Sequence, residues 1–330
     1  DRHNQGRIVM EVALTPQTRV VYKPRSVKPS ELFDEYLEQI EAKTGLGMVR
    51  KTHLSRPRYG WVEYISPQER RSEEDVTRYY TRAGALLAAA HLMKLNDCHW
   101  ENIVAQRGGP VVLDAETLLT PTVTPSFSEG DDPATREELS NSVVSTGLLP
   151  ESHDESSLPD RVIQNGFAYP KIPADYGESR NKWDNINTDG MEIGDAESEV
   201  VTPESPTNIP RIDGEVARFS DNVDAVIEGF KLVMETANNG QLCIDERFEN
   251  LQTRIVPRGS RDYGRVLDAI TSPESLQDGV HITLNADALL AEQMLDETGS
   301  DEWELFEEEV ESLKRLDIPR LTVDSSTGVV

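Results

Sequence analysis

Sixty acidic residues against 33 basic ones leave this 330-residue chain at a formal charge of −27, and only 9 of the basic residues are Lys. A surface so acidic has no broad face to neutralise phosphates, which argues against a nucleic-acid binder. With 37% hydrophobic and 28% charged residues, the composition is that of a folded protein with length enough for a sizeable core.

The same imbalance predicts a halophilic setting, where salt screens self-repulsion. No apolar run is long enough for a membrane span and no signal peptide is visible, so the expected location is cytoplasmic. Cys98 and Cys243 make neither a disulfide framework nor a metal-ligand pair. The chain opens at Asp1 without Met, inside a stretch that already reads as structure, so a piece of a longer protein is expected.

In chain order, GRIVMEVAL, TPQT and RVVYKP predict a β-hairpin with Lys23 at the end of its second strand. Pro29–Ser30 and ELFDEYLEQIEAKTG predict a capped helix ending at Gly45. YGWVEYI predicts a short aromatic strand. From Ser72, EEDVTRYYTRAGALLAAAHLMKL has helical spacing over about six turns. The loop NDCHWEN follows, then IVAQ, RGG and PVVLD as a second hairpin. Residues 120–207, rich in Pro, Ser, Asp and Glu, predict long loops with few regular elements. TRIVPRGS predicts a strand running into a turn, and helical patterns return in NVDAVIEGFKLVMETA, RDYGRVLDAI and DEWELFEEEVESLKRL. A hairpin-rich first part and a helix-rich remainder predict an α+β chain of two lobes, residues 1–66 and 67–330, with ATP in the cleft.

The strongest local signal is Asp97, then Asn102, then Asp114 at the end of the next strand. Phosphoryl transfer uses an Asp as base, an Asn five residues on and a second Asp, the last two holding metal ions on the phosphates. An Asp/Asn-capped loop between a helix and a hairpin gives the same letters without catalysis. The embedded His99 tips the balance, because His serves as acid, base or phosphate partner near neutrality. Lys23 suits ATP phosphates, although an exposed strand-end Lys is the commoner case. Arg254, Arg258 and Ser260 crowd two guanidinium forks and a hydroxyl into one turn, a phosphate clamp or ordinary surface arginines. Glu116, two residues after Asp114, reaches a metal or is merely solvated. Asp1 and His3, read alone, are a frayed terminus. His53, His91, His153 and His281 show no partner spacing, and Trp61, Trp183 and Trp303 read as packing.

Together DRHNQGRIV, VVYKPRS, YGWVEYI, YYTRAGALLAAAHLMKLNDCHWENIVA, PVVLDAETL, STGLLP, INTDGM, TRIVPRGSRDY and LDIPR resemble, in order, the dehydration domain of LanM-type (class II) lanthipeptide synthetases. The resemblance runs from residue 1 to about 320. It implies a lipid-kinase-like fold over a single domain, 1–330. It also implies a ribosomally made precursor peptide as partner, and ATP with Mg²⁺. Ser and Thr would be phosphorylated, then lose phosphate to give dehydroalanine or dehydrobutyrine. Carried over by motif, Asp97 is the phosphorylation base with His99 beside it. Asn102 and Asp114 hold Mg²⁺, with Glu116 assisting, and Lys23 contacts phosphate. Asp1, His3, Arg254 and Ser260 match elimination positions. His3, Lys23, Arg254 and Arg258 are the candidates for the base and cations of that step, and which one is the base stays open.

Three departures accompany the resemblance. Ser260 stands where the family usually has Thr, which keeps the hydroxyl. The family carries more sequence ahead of its D-x-H motif. The family's zinc-bearing cyclase domain is not expected within these residues, so ring closure would come from the missing remainder, from another protein, or not occur. A plain phosphotransferase for another substrate, and a non-catalytic peptide-binding pseudokinase, are the competing expectations. The first has no use for Arg254 and Ser260. The second would have lost Asp97, Asn102 or Asp114.

Overall fold

The computed structural model describes residues 6–69, 72–120, 138–150, 165–170, 172–173, 181–185, 188, 190, 192–195, 200–201, 206–257, 259–273, 275–291 and 300–325. Asp1, His3 and Arg258 lie outside these residues, as does most of 120–207.

Strands β1 (Met10–Ala13) and β2 (Arg19–Lys23) form the expected antiparallel hairpin, in register Met10↔Tyr22. Two more strands, β3 (His53–Arg56) and β4 (Tyr59–Glu63), complete a sheet of order β1-β2-β4-β3. The β4 register sets Lys23 opposite Gly60 and Tyr22 opposite Trp61. Trp61 packs as expected, its ring centroid 5.1 Å from that of Tyr22. Strand β3 was not expected; its letters KTHLSR lack an alternating apolar face to announce it.

Helix α1 (Lys28–Thr44) starts with Pro in its first turn and stops at Gly45, whose φ of 72° closes the last turn onto the Glu41 carbonyl. Helix α2 (Glu73–Leu92) is capped by Ser72, whose Oγ accepts the Asp75 amide at 3.2 Å, with three acidic residues favouring its N-terminus. Every residue from Ala83 to Ala90 is buried. A helix apolar all round belongs inside, and each large side chain hidden there, such as Leu86, stabilises by about 1.5–3 kcal/mol.

Helix α3 (Val223–Asn238) crosses α2 at two glycines. A Cβ on Gly84 would lie 1.8 Å from the Val226 carbonyl oxygen, and one on Gly229 would lie 1.7 Å from that of Thr81. No side chain fits between these backbones, so the sequence needs Gly at both positions.

Strands β5 (Ile103–Gln106) and β6 (Gly109–Val112) pair antiparallel against this core. Four short strands lie within the region read as loops: β7 (Ile172–Pro173), β8 (Asn181–Asp184), β9 (Glu192–Asp195) and β10 (Val200–Val201). They pair as β7 with β10 and β8 with β9. A further hairpin joins β11 (Arg211–Ile212) and β12 (Glu215–Val216).

Strand β13 (Gln252–Ile255) leads into α4 (Ser260–Ile270), followed by α5 (Gly279–Ala291), α6 (Ser300–Lys314) and β14 (Leu321–Asp324). Neither α5 nor β14 was expected from the sequence. Tyr263, Val266 and Ile270 pack on Phe306, Val310 and Leu313 as a second small core. Strand β14 returns antiparallel onto β13, Arg254 opposite Thr322. The fold is mixed, helices with small antiparallel sheets, as the α+β expectation required.

Candidate active site

Four separate segments converge at the end of β6. Lys23, the last residue of β2, donates to Asp114 Oδ2 at 2.8 Å and to the Leu113 carbonyl at 3.0 Å. Arg25 follows two residues later, joining Asp114 through Nη2 and Glu116 Oε2 through Nε at 2.8 Å. Arg254 of β13 reaches Glu116 Oε1 through Nη1 at 2.6 Å. Arg320, just before β14, reaches Glu116 Oε2 at 3.1 Å.

The main chain explains the convergence. The Arg254 amide donates to the Glu116 carbonyl at 2.7 Å, and Thr120 Oγ1 donates to the Arg254 carbonyl at 3.1 Å. The turn after β6 is thus stitched to β13. Because Arg254 faces Thr322 in the ladder, Arg320 lies diagonally across on the same face.

The loop 95–102 brings the remaining groups. Asp97 has φ 61°, left-handed for a residue with a side chain, a conformation Asp tolerates better than most. Asn102 Nδ2 donates to the Asp97 carbonyl at 2.9 Å and fixes that turn. The Asn102 carbonyl in turn accepts the Leu113 amide at 2.7 Å, tying the loop to the strand that delivers Asp114. His99 caps the short turn Trp100–Asn102, its Nδ1 accepting the Glu101 amide at 3.3 Å. That bond leaves the proton of a neutral ring on Nε2, which faces Asp97 Oδ1 at 4.0 Å.

STGLLP braces the loop from behind. The Cys98 amide donates to the Thr146 carbonyl at 3.1 Å, and Gly147 sits against the Cys98 backbone. Cys98 itself is buried, and burial pushes its thiol far above the ordinary range. It is an inert packing residue.

The electrostatics divide the carboxylates. Burial alone would raise Asp114, but Lys23 and Arg25 outweigh it and hold the carboxyl well below the usual range. Asp97 is raised, chiefly by burial, with His99 and Arg254 pulling down and Glu116 and Asp114 pushing up. Burial lowers Lys23, with Asp114 opposing and Arg25 adding to the fall. One carboxylate is therefore kept ionised and the other made more basic, the split that acid–base chemistry requires.

Asn102 Oδ1 and Asp114 Oδ1 accept no hydrogen bond among the described residues. One amide and one carboxylate oxygen suit a hard cation such as Mg²⁺, which takes its other ligands from water and phosphate. Both oxygens of Glu116, the expected assistant, are occupied by guanidinium groups. Ser260 is the exposed first residue of α4, and no described contact joins it to the cluster.

Sequence reading missed Arg25 and Arg320, although both stand inside quoted motifs, VVYKPRS and LDIPR. It also missed a second cluster. His53 Nε2 lies 2.6 Å from Asp34 Oδ2, Lys51 Nζ lies 3.1 Å from the same oxygen, and Lys51 also donates to the Val112 carbonyl. His53 thus has a partner that no spacing announced.

Residues 1–324 match the family described as Domain of unknown function (DUF4135). The chain is also 25% identical over 301 residues to the Lacticin 481/lactococcin biosynthesis protein LcnDR2 of Lactococcus lactis subsp. lactis, a match covering 83% of this chain and 30% of that protein. It therefore spans less than a third of the length of the curated relative. No helix among the described residues is long and apolar enough to cross a membrane. With nearly its whole length matched, this chain belongs to the DUF4135 family.

Proposed function

We propose that this chain modifies a ribosomally made precursor peptide on the way to a lanthipeptide, as a LanM-like dehydratase. It phosphorylates Ser or Thr with ATP and Mg²⁺, then eliminates phosphate. The carrying observation is the meeting of Lys23, Arg254 and the loop-and-hairpin pair Asp97 and Asp114, from three distant parts of the chain, at one place. The distant similarity to a lacticin 481 biosynthesis protein supports the peptide-modification part of this reading. On this reading 1–66 and 67–330 are two kinase-like lobes.

In the first step, Asp97 takes the proton of the substrate hydroxyl. The Oγ–P bond forms as the bond to the departing ADP oxygen breaks. A raised Asp97 is a better base, and His99 Nε2–H faces it to hold its orientation. Lys23 orients a phosphate oxygen, and Asn102 and Asp114 are the residues to hold Mg²⁺, which would supply charge neutralisation on the phosphates.

In the second step a base, Lys23 or His3, takes the Cα proton. The electron pair forms the Cα=Cβ bond, and the Cβ–O bond breaks with its electrons leaving on phosphate. Arg254 stabilises that leaving charge. Asp1, Arg258 and Ser260 are proposed to line the same step. A cyclase domain or protein would close the rings.

The test incubates the full-length protein with a candidate precursor peptide, ATP, Mg²⁺ and high salt, read by mass spectrometry. Loss of one water per modified residue with a transient phosphate adduct is expected. A stable adduct alone would make it a plain kinase. No mass change with ATP binding retained would make it a pseudokinase.

A further inference from the structure

Glu116 meets three guanidinium groups at 2.6, 2.8 and 3.1 Å. One carboxylate cannot balance three cations. Adding Asp114 and Lys23 still leaves four cations against two carboxylates, and among the described residues Asp97 close by brings the carboxylates to three. Within the cluster, burial lowers Arg320, with Glu116 opposing and Arg25 and Arg254 adding to the fall, whereas at Arg25 burial is outweighed by Asp114 and Glu116, which raise it. A cation excess in a partly buried site is unfavourable unless an anion joins it. Donors for such an anion remain: Arg254 Nε and Arg320 Nε are buried without a hydrogen-bond partner among the described residues.

We propose that Arg25 and Arg320 complete, with Arg254, a three-arginine clamp for the phosphate group that leaves the peptide, and that Glu116 is the resident carboxylate that pre-positions it. The inference rests on the dehydratase reading. It gives Arg25 and Arg320 direct contact with the phosphate and makes Glu116 an organiser of arginines. Guanidinium forks match phosphate oxygens in pairs, which a lysine cannot do. Arg254 stands inside β13, Arg25 two residues past the end of β2 and Arg320 one residue before β14, so each is anchored in or beside a strand.

The experiment has two readouts on wild type, Arg25→Gln, Arg320→Gln and Arg320→Lys, the last keeping charge and bulk in case the others unfold. The first is thermal unfolding with and without inorganic phosphate at constant high ionic strength. Phosphate should raise the wild-type midpoint more than it raises any variant's. The second is the phosphopeptide-to-dehydropeptide ratio. Elimination should fall by about 100-fold or more in each variant, the loss typical of removing one donor from a developing charge, with phosphopeptide accumulating in the Arg320 variants and phosphorylation itself slowed in Arg25→Gln, which also loses a partner of Asp114. Equal phosphate shifts in all four proteins, or normal elimination in both Gln variants, would overturn the clamp while leaving the dehydratase intact. A wild-type-only phosphate shift in a protein that modifies no peptide would keep the anion clamp, overturn its assignment to a leaving phosphate, and refute the dehydratase reading.

Discussion

The two buried ionic clusters share strand β6 and are built to opposite plans. At Asp34, one carboxylate meets one lysine and one imidazole, and the three side chains are 7%, 2% and 4% exposed. Around Asp114 and Glu116, four cations crowd two carboxylates, and side-chain exposure runs from 8% to 20%. A sealed cluster near charge balance has nothing left to bind. An open cluster with surplus positive charge is held in a state that a ligand improves. Charge and access alone set the sealed brace apart from the cluster proposed as the working site.

The largest effect expected on activity comes from the open cluster. Asp114→Asn should abolish phosphorylation and dehydration together, because the ionised oxygen proposed for the metal is gone. Its unfolding free energy should also fall, by about 3 kcal/mol, since the buried Lys23 loses its anion and Glu116 is left alone with three guanidinium groups. Mass spectrometry and denaturant titration check the two halves. Unimpaired dehydration would remove Asp114 from the chemistry.

The converse variant lies in the sealed cluster. Asp34→Ala leaves Lys51 and His53 buried without their anion and should cost about 3–5 kcal/mol. The pH dependence follows from the direction of the shift. Burial raises the Asp34 carboxyl, but Lys51 and His53 more than offset this and hold it below its unfolded value. Its stabilisation is therefore present above the unfolded Asp value, near pH 4, and is lost as pH falls through the lower folded value. Denaturation midpoints measured from neutral to acid pH should converge for wild type and variant. A constant gap across that range would mean that packing, not charge, holds the helix α1 to β3 junction.

A smaller and more selective effect is expected at Arg254. Arg254→Ala should leave phosphorylation running and let phosphorylated peptide accumulate, by about 100-fold in the ratio of adduct to product. Normal dehydration without adduct would show that this arginine only staples β13 to the turn after β6.

How much of this was legible follows from the range of each interaction. The hairpins β1–β2 and β5–β6 and the helices α1, α2 and α3 were legible because their apolar spacing and end signals are local: Ser72 caps, Gly45 stops, and AGALLAAA has no polar face. Asp97, Asn102 and Asp114 were distinguishable because they stand within one short segment, and the fold sets Lys23 against Asp114; their part in phosphoryl transfer is proposed. Arg25 and Arg320 were not, because an arginine in an acidic chain reads as solvated until the fold brings it 2.8 or 3.1 Å from a shared carboxylate. His53 was hidden for the same reason, its partner being 19 residues away on α1. Helix α5, in which Val, Ile and Thr stand beside a glycine start, lacks the stripe that marks an amphipathic helix.

The smallest predicted effect tests whether the open site is tuned for chemistry at the expense of stability. Asp97 is raised in the folded protein, chiefly by burial. A group raised on folding contributes stability below its unfolded value and loses it as pH rises through the folded one. At neutral pH the ionised Asp97 is therefore a burden on the native state, lightened because a third of its side chain meets solvent. Asp97→Asn should abolish phosphorylation and yet slightly raise the unfolding midpoint at neutral pH. Below about pH 4, where Asp is protonated in both states, the two proteins should unfold together. A variant less stable than wild type at neutral pH would mean that the carboxylate is held by attraction to His99 and Arg254. Asp97 would then belong with Asp34 as a structural anion, and the distinction between the two clusters would narrow to the arginines alone.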